Sequence, residues 1–373
     1  MKTTGLRGAV IGYGFVSARG HIPAYQKRIE ASGDVQIMAI ADICPVRRKL
    51  AQEALPDATV YADYQELLKN EASRLDFVDI CTPPCDHAAI AHAALSRGFH
   101  VLCEKPLART PEEARLLLDH AQSVQRVLFP CHNYKHAPII RTIGEIIQSG
   151  RIGKVHSVDL NIYRSTHAKG VTEWKSHWRR ESRYSGGGIA MDHGSHSFYL
   201  TFDWLGSYPT SVSAKMSNLE PGKYDTEDEF SAVVTFPTGL AHVHLTWTAG
   251  VRKAIYTVEG EMGAITMEDD ELQIETMNGT QPSANGKRPA TRHVEKRVIS
   301  SYWEDSSHTS WFNALFDEFR QVIERQEFTG KDAQDAALCV ELIHTAYRSA
   351  EQGSRELPLP NQPQVDRPDF HLL

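Results

Sequence analysis

The sequence predicts a two-part protein: an α/β domain with a parallel, doubly wound sheet over 1–133, then an α+β domain with an open-faced, mainly antiparallel sheet over 134–373. A chain of 373 residues is too long for one ordinary core. Three patterns carry the reading. The apolar run Leu6–Ile11 ends in a glycine turn, as a strand does when it hands over to a helix. Short apolar runs then alternate with helix-like stretches as far as Asn133. Beyond Tyr134 come runs that alternate polar and apolar residues with no helix between them.

In the first half, the turn after Leu6–Ile11 reads Gly12-Tyr13-Gly14-Phe15-Val16-Ser17. Gly12 permits a tight turn, and Gly14 clears the backbone for a pyrophosphate at the N-terminus of the next helix. Ser17 stands where the dinucleotide fingerprint has its third glycine. The second strand, Val35–Ala41, ends in Asp42, placed to accept from adenosine ribose hydroxyls and to repel a 2′-phosphate. That favours NAD over NADP. Arg47 and Arg48 would soften the preference, although two solvated helix charges are the plainer reading. Asp76–Cys81 and Phe99–Cys103 read as buried strands. Between them lie the alanine-rich helix Asp86–Arg97 and its stop, Gly98. Val127–Pro130 is a further short strand.

Ligands of a parallel sheet sit at the carboxyl ends of its strands, and two of these ends carry unusual residues. Thr82-Pro83-Pro84 reads either as a wall beside the cofactor or as a rigid turn. Glu104-Lys105-Pro106 is the more telling. A lysine there points at the ligand crevice, its pKa falls beside an oxidised nicotinamide, and it exchanges a proton with a hydroxyl as hydride moves. Glu104 positions it or pairs with it.

In the second half, Tyr134–Arg151 reads as one helix and Val155–Tyr163 as a strand. Further strands are expected at Pro209–Met216, Glu229–Phe236, Leu240–Thr248, Ala254–Glu259 and Gly263–Met267, with Gly239 and Gly260 at hairpin positions. Such a sheet leaves one face free, which predicts a homo-oligomer, dimer or tetramer. Met277–Arg292 is rich in Gly, Asn and Pro and reads as a surface loop. Helices follow around His308–Glu324 and Asp332–Glu351, then an extended Leu-Pro-Leu-Pro tail.

Composition excludes several classes of function. Hydrophobic residues at 41% and charged residues at 23% are the balance of a globular enzyme. A net charge of -7 gives no positive field to collect nucleic-acid phosphates. No apolar run approaches the ~20 residues of a membrane helix. The start, Met-Lys-Thr-Thr-Gly-Leu-Arg, enters a strand at once and leaves no room for a signal peptide, which predicts a cytoplasmic protein. Four of the six cysteines follow or close strand-like runs, so reduced, buried thiols are expected. Cys81 and Cys85 lack both a zinc-like spacing and a matching pair.

The densest constellation is Gly186-Gly187-Gly188-Ile189-Ala190-Met191-Asp192-His193-Gly194-Ser195-His196. The glycines would let backbone pass close to a ligand. On a helix, Asp192 and His196 share a face, where a carboxylate orients a hydroxyl and an imidazole exchanges its proton. The plainer alternative is a helix cap and a core histidine. His193 and His196 suggest zinc, but no third ligand follows, so no metal is expected. Trp174, His177, Trp178 and Arg179 precede the glycines and either stack on a sugar ring or pack the domain seam.

Over nearly its whole length the sequence resembles the Gfo/Idh/MocA oxidoreductases, the relatives of glucose–fructose oxidoreductase and inositol dehydrogenase. The match rests on Gly12–Ser17, Asp42, Thr82-Pro83, His87, Glu104-Lys105-Pro106 and 186–196. The resemblance implies a Rossmann domain followed by a substrate-binding and oligomerisation domain, whose terminal helices can pack back on the first. Lys105 is then the principal proton-handling residue, with Asp192 and His196 completing the catalytic set. Gly12, Gly14, Phe15, Val16, Asp42, Thr82, Pro83, His87, Glu104, Lys105, Asn133, Trp178 and Arg179 surround the cofactor. Lys105, Tyr134, Arg179, Asp192, His193 and His196 surround the substrate. Three positions depart from the family pattern: Ser17, His193 in a usually apolar place, and Lys135-His136 in place of an arginine and an aromatic residue.

The expected function is hydride transfer between NAD(P) and a secondary alcohol or ketone of a sugar, cyclitol or nucleotide sugar. Two alternatives stand beside it: an NAD-retaining glycosidase or lyase on the same scaffold, and a non-catalytic NAD(H) sensor.

Overall fold

The computed structural model describes residues 5–278, 291–301, 303 and 307–359. Its first sheet is built from β1 (Leu6–Ile11), β2 (Val35–Ala41), β3 (Thr59–Tyr61), β4 (Phe77–Ile80), β5 (His100–Cys103) and β6 (Leu128–Pro130). Crossover helices α1 (Ile22–Ala31), α2 (Pro45–Ala54), α3 (Tyr64–Asn70), α4 (Pro84–Ser96) and α5 (Pro111–Ser123) connect them. The strand order is β3-β2-β1-β4-β5-β6 and every pair is parallel. The direction of winding therefore reverses between β1 and β4, and a crevice opens outside their carboxyl ends.

Local sequence sets the boundaries of these elements. Pro84 occupies the first turn of α4, so that helix starts earlier than the Asp86 expected from composition; a proline there loses no helical hydrogen bond. Gly98, at φ +84, ends the α4 region as expected. The helix after the first glycine turn begins with a π turn, Ser17–His21, before α1.

The expected helix Tyr134–Arg151 is broken in two. Asn133–His136 forms a single 3-10 turn, Ala137 is extended, and α6 (Pro138–Gln148) follows. Pro138 forbids the α conformation for the residue before it, which separates the two pieces.

The second sheet is built on β7 (Val155–Tyr163), beyond which come the short α7 (Ser182–Ser185) and α8 (Ser195–Leu205). Strands β8 (Ser211–Ser217), β9 (Glu229–Phe236), β10 (Gly239–Thr246), β11 (Lys253–Gly260), β12 (Gly263–Glu268), β13 (Glu271–Asn278) and β14 (Thr291–Val298) follow. After them come α9 (Thr309–Arg325), α10 (Lys331–Glu351) and the two-residue β15 (Leu357–Pro358). The order is β14-β13-β12-β11-β7-β10-β9-β8-β15, antiparallel throughout except for β10 against β7. Gly239 and Gly260 sit at hairpin ends as expected. The expected loop Met277–Arg292 is corrected at both ends. Met277 pairs with Arg292 across the β13–β14 ladder, and 279–290 lie outside the described residues.

One face of this sheet packs on α6, α8 and α10 around Phe198, Phe202, Tyr256 and Ile343, all fully buried. On β9 and β10 the alternate positions Val233 and Leu240 remain 39% and 41% exposed. The chain then returns to the first sheet. Leu315, Phe316, Phe319 and Val322 of α9 join a core with Val10, Tyr25 and Phe77, while Ala333 and Ala336 of α10 pack with Leu117 and Leu128.

Phe316 lies 5.5 Å from the Phe77 ring and 5.3 Å from Tyr25. Phe316→Ala should cost about 3–5 kcal/mol in urea denaturation. A value below 1 kcal/mol would mean that α9 contributes little to the first core.

Candidate active site

A cleft of about 700 Å³ opens along the carboxyl edge of the first sheet and runs under the second domain. Of the predicted site residues, all but His87 line it: Gly12, Gly14, Phe15, Val16, Asp42, Thr82, Pro83, Glu104, Lys105, Asn133, Tyr134, Trp178, Arg179, Asp192, His193 and His196.

At one end lies the glycine turn. Gly12 adopts φ +95, and a Cβ there would stand 2.8 Å from the Cys81 carbonyl oxygen, so only glycine fits. A Cβ on Gly14 would meet no protein atom within 4 Å, since that side of the backbone faces the cleft. This open cradle at a helix N-terminus fits a dinucleotide pyrophosphate.

Asp42 braces the turn. Its carboxylate oxygens accept from Tyr13 N and Cys44 N, each at 2.7 Å. The reading of Arg47 and Arg48 as solvated charges is corrected. Arg47 is buried and donates to the Tyr13 carbonyl at 2.6 Å, with Glu173 of the second domain 3.4 Å away. Arg48 donates to the Asp42 and Ile43 carbonyls. Arg47 is spent on carbonyls of the glycine turn after β1, and Arg48 on those where β2 gives way to α2.

At the other end, Lys105 leaves the tip of β5. Its Nζ donates to the Asp192 main-chain oxygen at 2.7 Å and to Asp192 Oδ1 at 3.0 Å. Arg179 Nε donates to the same Oδ1 at 3.2 Å, and His193 Nδ1 lies 3.2 Å from Oδ2. Burial opposes ionisation of Asp192, but Lys105 and Arg179 outweigh it and hold its pKa well below the usual carboxylate range. Asp192 lies in a π turn, Ala190–Gly194, that runs straight into α8. Two π turns therefore flank the cleft, and such turns recur at functional sites.

The expected pairing of Asp192 with His196 is not what the structure forms, because the wider π turn separates them and Asp192 turns to the cations. His196 stacks on Tyr134 with ring centroids 3.8 Å apart and planes at 8°, and its Nδ1 meets the Tyr199 hydroxyl at 2.9 Å. Burial, then the Lys105 charge, push the His196 pKa well below 6.5, so the ring is neutral.

The triple glycine packs tightly, and Gly188 also lines the cleft. A Cβ on Gly187 would fall 2.0 Å from the Tyr347 hydroxyl, and one on Gly188 would fall 1.9 Å from the Glu227 carbonyl oxygen. Glu227 accepts from Gly188 N at 2.8 Å, Ala190 N at 3.0 Å and Tyr347 Oη at 2.9 Å, capping the turn that carries Asp192. His87 is also corrected. It is fully buried, with its ring nitrogens 2.8 Å from the Thr82 and Pro106 carbonyls, and it ties together two strand ends from behind.

Sequence reasoning missed Glu227, which lies 35 residues or more from everything it caps in a stretch without a motif. It also missed Arg164 at the end of β7, whose guanidinium donates to the Tyr163 and Lys253 carbonyls beside the cleft. His177 stands outside the cleft, 2.9 Å from His167, whereas Trp174 lines it. The six cysteines are free thiols. No helix among the described residues is long and apolar enough to cross a membrane.

Comparison with known proteins adds the following. The sequence model for the GFO_IDH_MocA oxidoreductases, described as having an NAD-binding Rossmann fold, matches residues 6–132. The model for the C-terminal domain of the same family matches 140–266. Among curated relatives, D-glucoside 3-dehydrogenase of Escherichia coli K12 is 25% identical over 95% of this chain and 98% of its own. D-xylose 1-dehydrogenase (NADP(+)) 2 of Haloferax volcanii is 25% identical over 92% of this chain and 97% of its own. Among solved structures, levoglucosan dehydrogenase in complex with NADH superposes with a TM-score of 0.81 at 22% identity, covering 96% of this chain and 100% of that one. It shares the fold.

The charge cluster around Asp192 gives a pH test. An acid with a depressed folded pKa contributes stability that is present above the unfolded value, about 4, and lost as pH falls through the folded value. Asp192→Asn should therefore lower stability at neutral pH and narrow the difference between neutral and acid urea midpoints. An unchanged difference would contradict the pairing.

Proposed function

Because this chain belongs to the Gfo/Idh/MocA oxidoreductases, we propose that it transfers a hydride between NAD and a secondary alcohol or ketone carbon of a sugar-like substrate. The observation that carries the reading is the convergence of Lys105, Asp192 and His196 on one cleft with the glycine turn and Asp42. Free sugars, cyclitols and nucleotide sugars are the candidate substrates. The sugar class is supported by the names of the relatives, which act on D-glucosides and D-xylose.

The residues divide the work by position. The backbone from Gly12 to Ser17 receives the pyrophosphate, and Asp42 keeps acceptor capacity for the adenosine ribose. When bound, the nicotinamide supplies or accepts the hydride. Lys105 exchanges the proton of the reacting oxygen through the ammonium direction that Asp192 does not fill. Asp192 orients Lys105 and Arg179 together. Neutral His196 meets a substrate oxygen through Nε2, with its ring held flat by Tyr134 and its Nδ1 on the Tyr199 hydroxyl. Arg179, stacked on the Trp178 ring at 4.2 Å, closes the side of the cleft. NAD is preferred to NADP, because Asp42 is unopposed where Arg47 is already engaged with Tyr13 and Glu173.

The outer face of the second sheet, with Val233 and Leu240 half exposed, supports a homo-oligomer. Analytical ultracentrifugation should give a dimer or tetramer, and Val233→Glu with Leu240→Glu should shift it towards monomer. A monomeric parent protein would reject that reading.

The functional test is nicotinamide absorbance with purified protein across a panel of sugars, cyclitols and nucleotide sugars. Lys105→Ala should lower turnover by about a thousandfold while NADH fluorescence titration still shows binding. His196→Ala should lower turnover without removing an ionisation near neutral pH, since the ring is already neutral there. Turnover by Lys105→Ala at the parent rate would sink the assignment.

A further inference from the structure

Beside the cleft, reaching inward from its lining residue Glu104, lies a buried polar cluster that the proposed chemistry does not use. His21, at the end of the first π turn, is 1% exposed. Its Nδ1 lies 2.7 Å from Asp79 Oδ2 and its Nε2 lies 3.1 Å from Glu104 Oε1. Asp79, in the middle of the sheet on β4, is fully buried and also accepts from the Tyr25 hydroxyl at 2.7 Å. The other oxygen of Glu104 accepts from the backbone N–H of Lys105 at 3.1 Å.

Both ring nitrogens of His21 therefore face carboxylate oxygens, which only accept. A neutral imidazole has one N–H and satisfies one of them; a doubly protonated ring satisfies both. We propose that His21 is a positioning residue that bridges Asp79 and Glu104 as an imidazolium and, through Glu104, fixes the strand end from which Lys105 projects. The inference rests on the assignment of Lys105 to proton exchange.

The groups that face His21 come from every element packed against it. They are Tyr25 from α1, Asp79 and Cys81 from β4 and its end, Glu104 from the end of β5 and Cys131 after β6, with the Phe312 ring of α9 at 4.1 Å. None of them is cationic. Burial works against the imidazolium, yet the Asp79 carboxylate outweighs it, and the His21 pKa is held well above the ordinary histidine value. Burial pushes the Cys81 thiol up to about 12, so it adds no thiolate at neutral pH.

The same atoms lie close enough to suggest a metal, in the sets His21, Asp79, Cys81 and His21, Glu104, Cys131. Direct hydrogen bonding fits better. An ion at about 2 Å from each ligand holds those ligand atoms roughly 3 Å or more apart. At 2.7 Å, His21 and Asp79 are already in contact.

The arrangement explains why an acid precedes the lysine. Two buried carboxylates on neighbouring strands repel, and a cation between them turns that repulsion into a brace. Glu104 then holds the Lys105 backbone by its N–H while Asp192 holds the ammonium from the other domain. The reacting nitrogen is fixed at both ends of its residue.

The test is nitrogen-15 NMR of the full-length protein labelled at histidine, with NADH bound, assigning His21 by its loss in His21→Gln. Two protonated ring nitrogens that do not titrate between about pH 6 and 9 are expected. A singly protonated ring at neutral pH would overturn the proposal. Asp79→Asn provides a kinetic test that does not require losing the ring. With one carboxylate gone the His21 pKa should fall, and turnover should acquire a new partial loss as the ring deprotonates with rising pH, because a neutral N–H holds Glu104 more weakly than an imidazolium does. His21→Gln should lower turnover by about tenfold to a hundredfold with little change in NADH affinity. If Lys105→Ala is inactive while His21→Gln and Asp79→Asn keep the parent rate and pH profile, the bridge is rejected and the Lys105 assignment stands. If Lys105→Ala is active, the failure lies in the functional reading instead.

Discussion

The contact on which the site depends crosses from one half of the protein to the other: the Lys105 ammonium against the main-chain and carboxylate oxygens of Asp192. Lys105 belongs to the carboxyl edge of the first sheet and Asp192 to the turn that opens α8 in the second domain. A buried ammonium needs acceptors, which Lys105 finds across the domain boundary, and a buried carboxylate needs cations, which Asp192 takes from both domains. The cleft runs where these needs meet. Arg179 adds a second cation to the same oxygen, which biases the whole corner towards anionic or oxygen-rich ligands.

Holding that contact in register takes support from far along the chain. The turn bearing Asp192 is capped by Glu227 and pressed against Tyr347 of α10. The segment bearing Tyr134 is tied through Lys135 to Asp332 at 2.6 Å, and Lys331 beside it reaches Asp203 of α8 at 2.6 Å. The last two helices thus return from the second domain to brace both walls of the cleft, as well as completing the first core. This also gives the Lys135 departure from the family pattern a physical account, because its ammonium neutralises a nest of acids, Asp203, Asp332 and Asp335, at the domain junction.

Legibility in the sequence followed the range of the interactions. The glycine turn, Asp42 and the strand ending in Lys105 were readable because each is set by a few neighbouring residues and a parallel sheet puts strand ends together. The runs Val35–Ala41, Val155–Tyr163 and Glu229–Phe236 emerged with their expected bounds, since period-two patterning is a local signal. What went astray depended on distant partners. The packing of Gly187 and Gly188 against Tyr347 and Glu227 was not readable, although Gly188 lines the cleft. Strand β14 was hidden because its residues are mostly polar and it is held by pairing with β13, whose Leu272 and Ile274 enter the second core. His87 and Arg47 looked like ligand contact and solvated charge, and each proved to be bound to backbone carbonyls. His21 carried no local signal, because its meaning lies in Asp79 and Glu104, on strands that the sheet alone makes adjacent.

The two acids at the start of α8 show how environment rather than residue type assigns a role. Glu227 and Asp192 are both buried beside the same turn. Burial raises the Glu227 pKa, and its partners are two backbone N–H groups and a tyrosine hydroxyl, all neutral. Asp192 suffers the same burial, but its partners are an ammonium and a guanidinium, and its pKa moves the opposite way. Neutral donors fix geometry without committing charge, whereas cationic donors commit it. The fixed negative charge at the mouth of α8 therefore belongs to Asp192, where it faces the cleft. Glu227 holds the turn from behind in a position where a full charge would be poorly solvated. A helix start that needed only a cap would require one acid; this one has two because the cap and the charge partner of Lys105 must point in opposite directions.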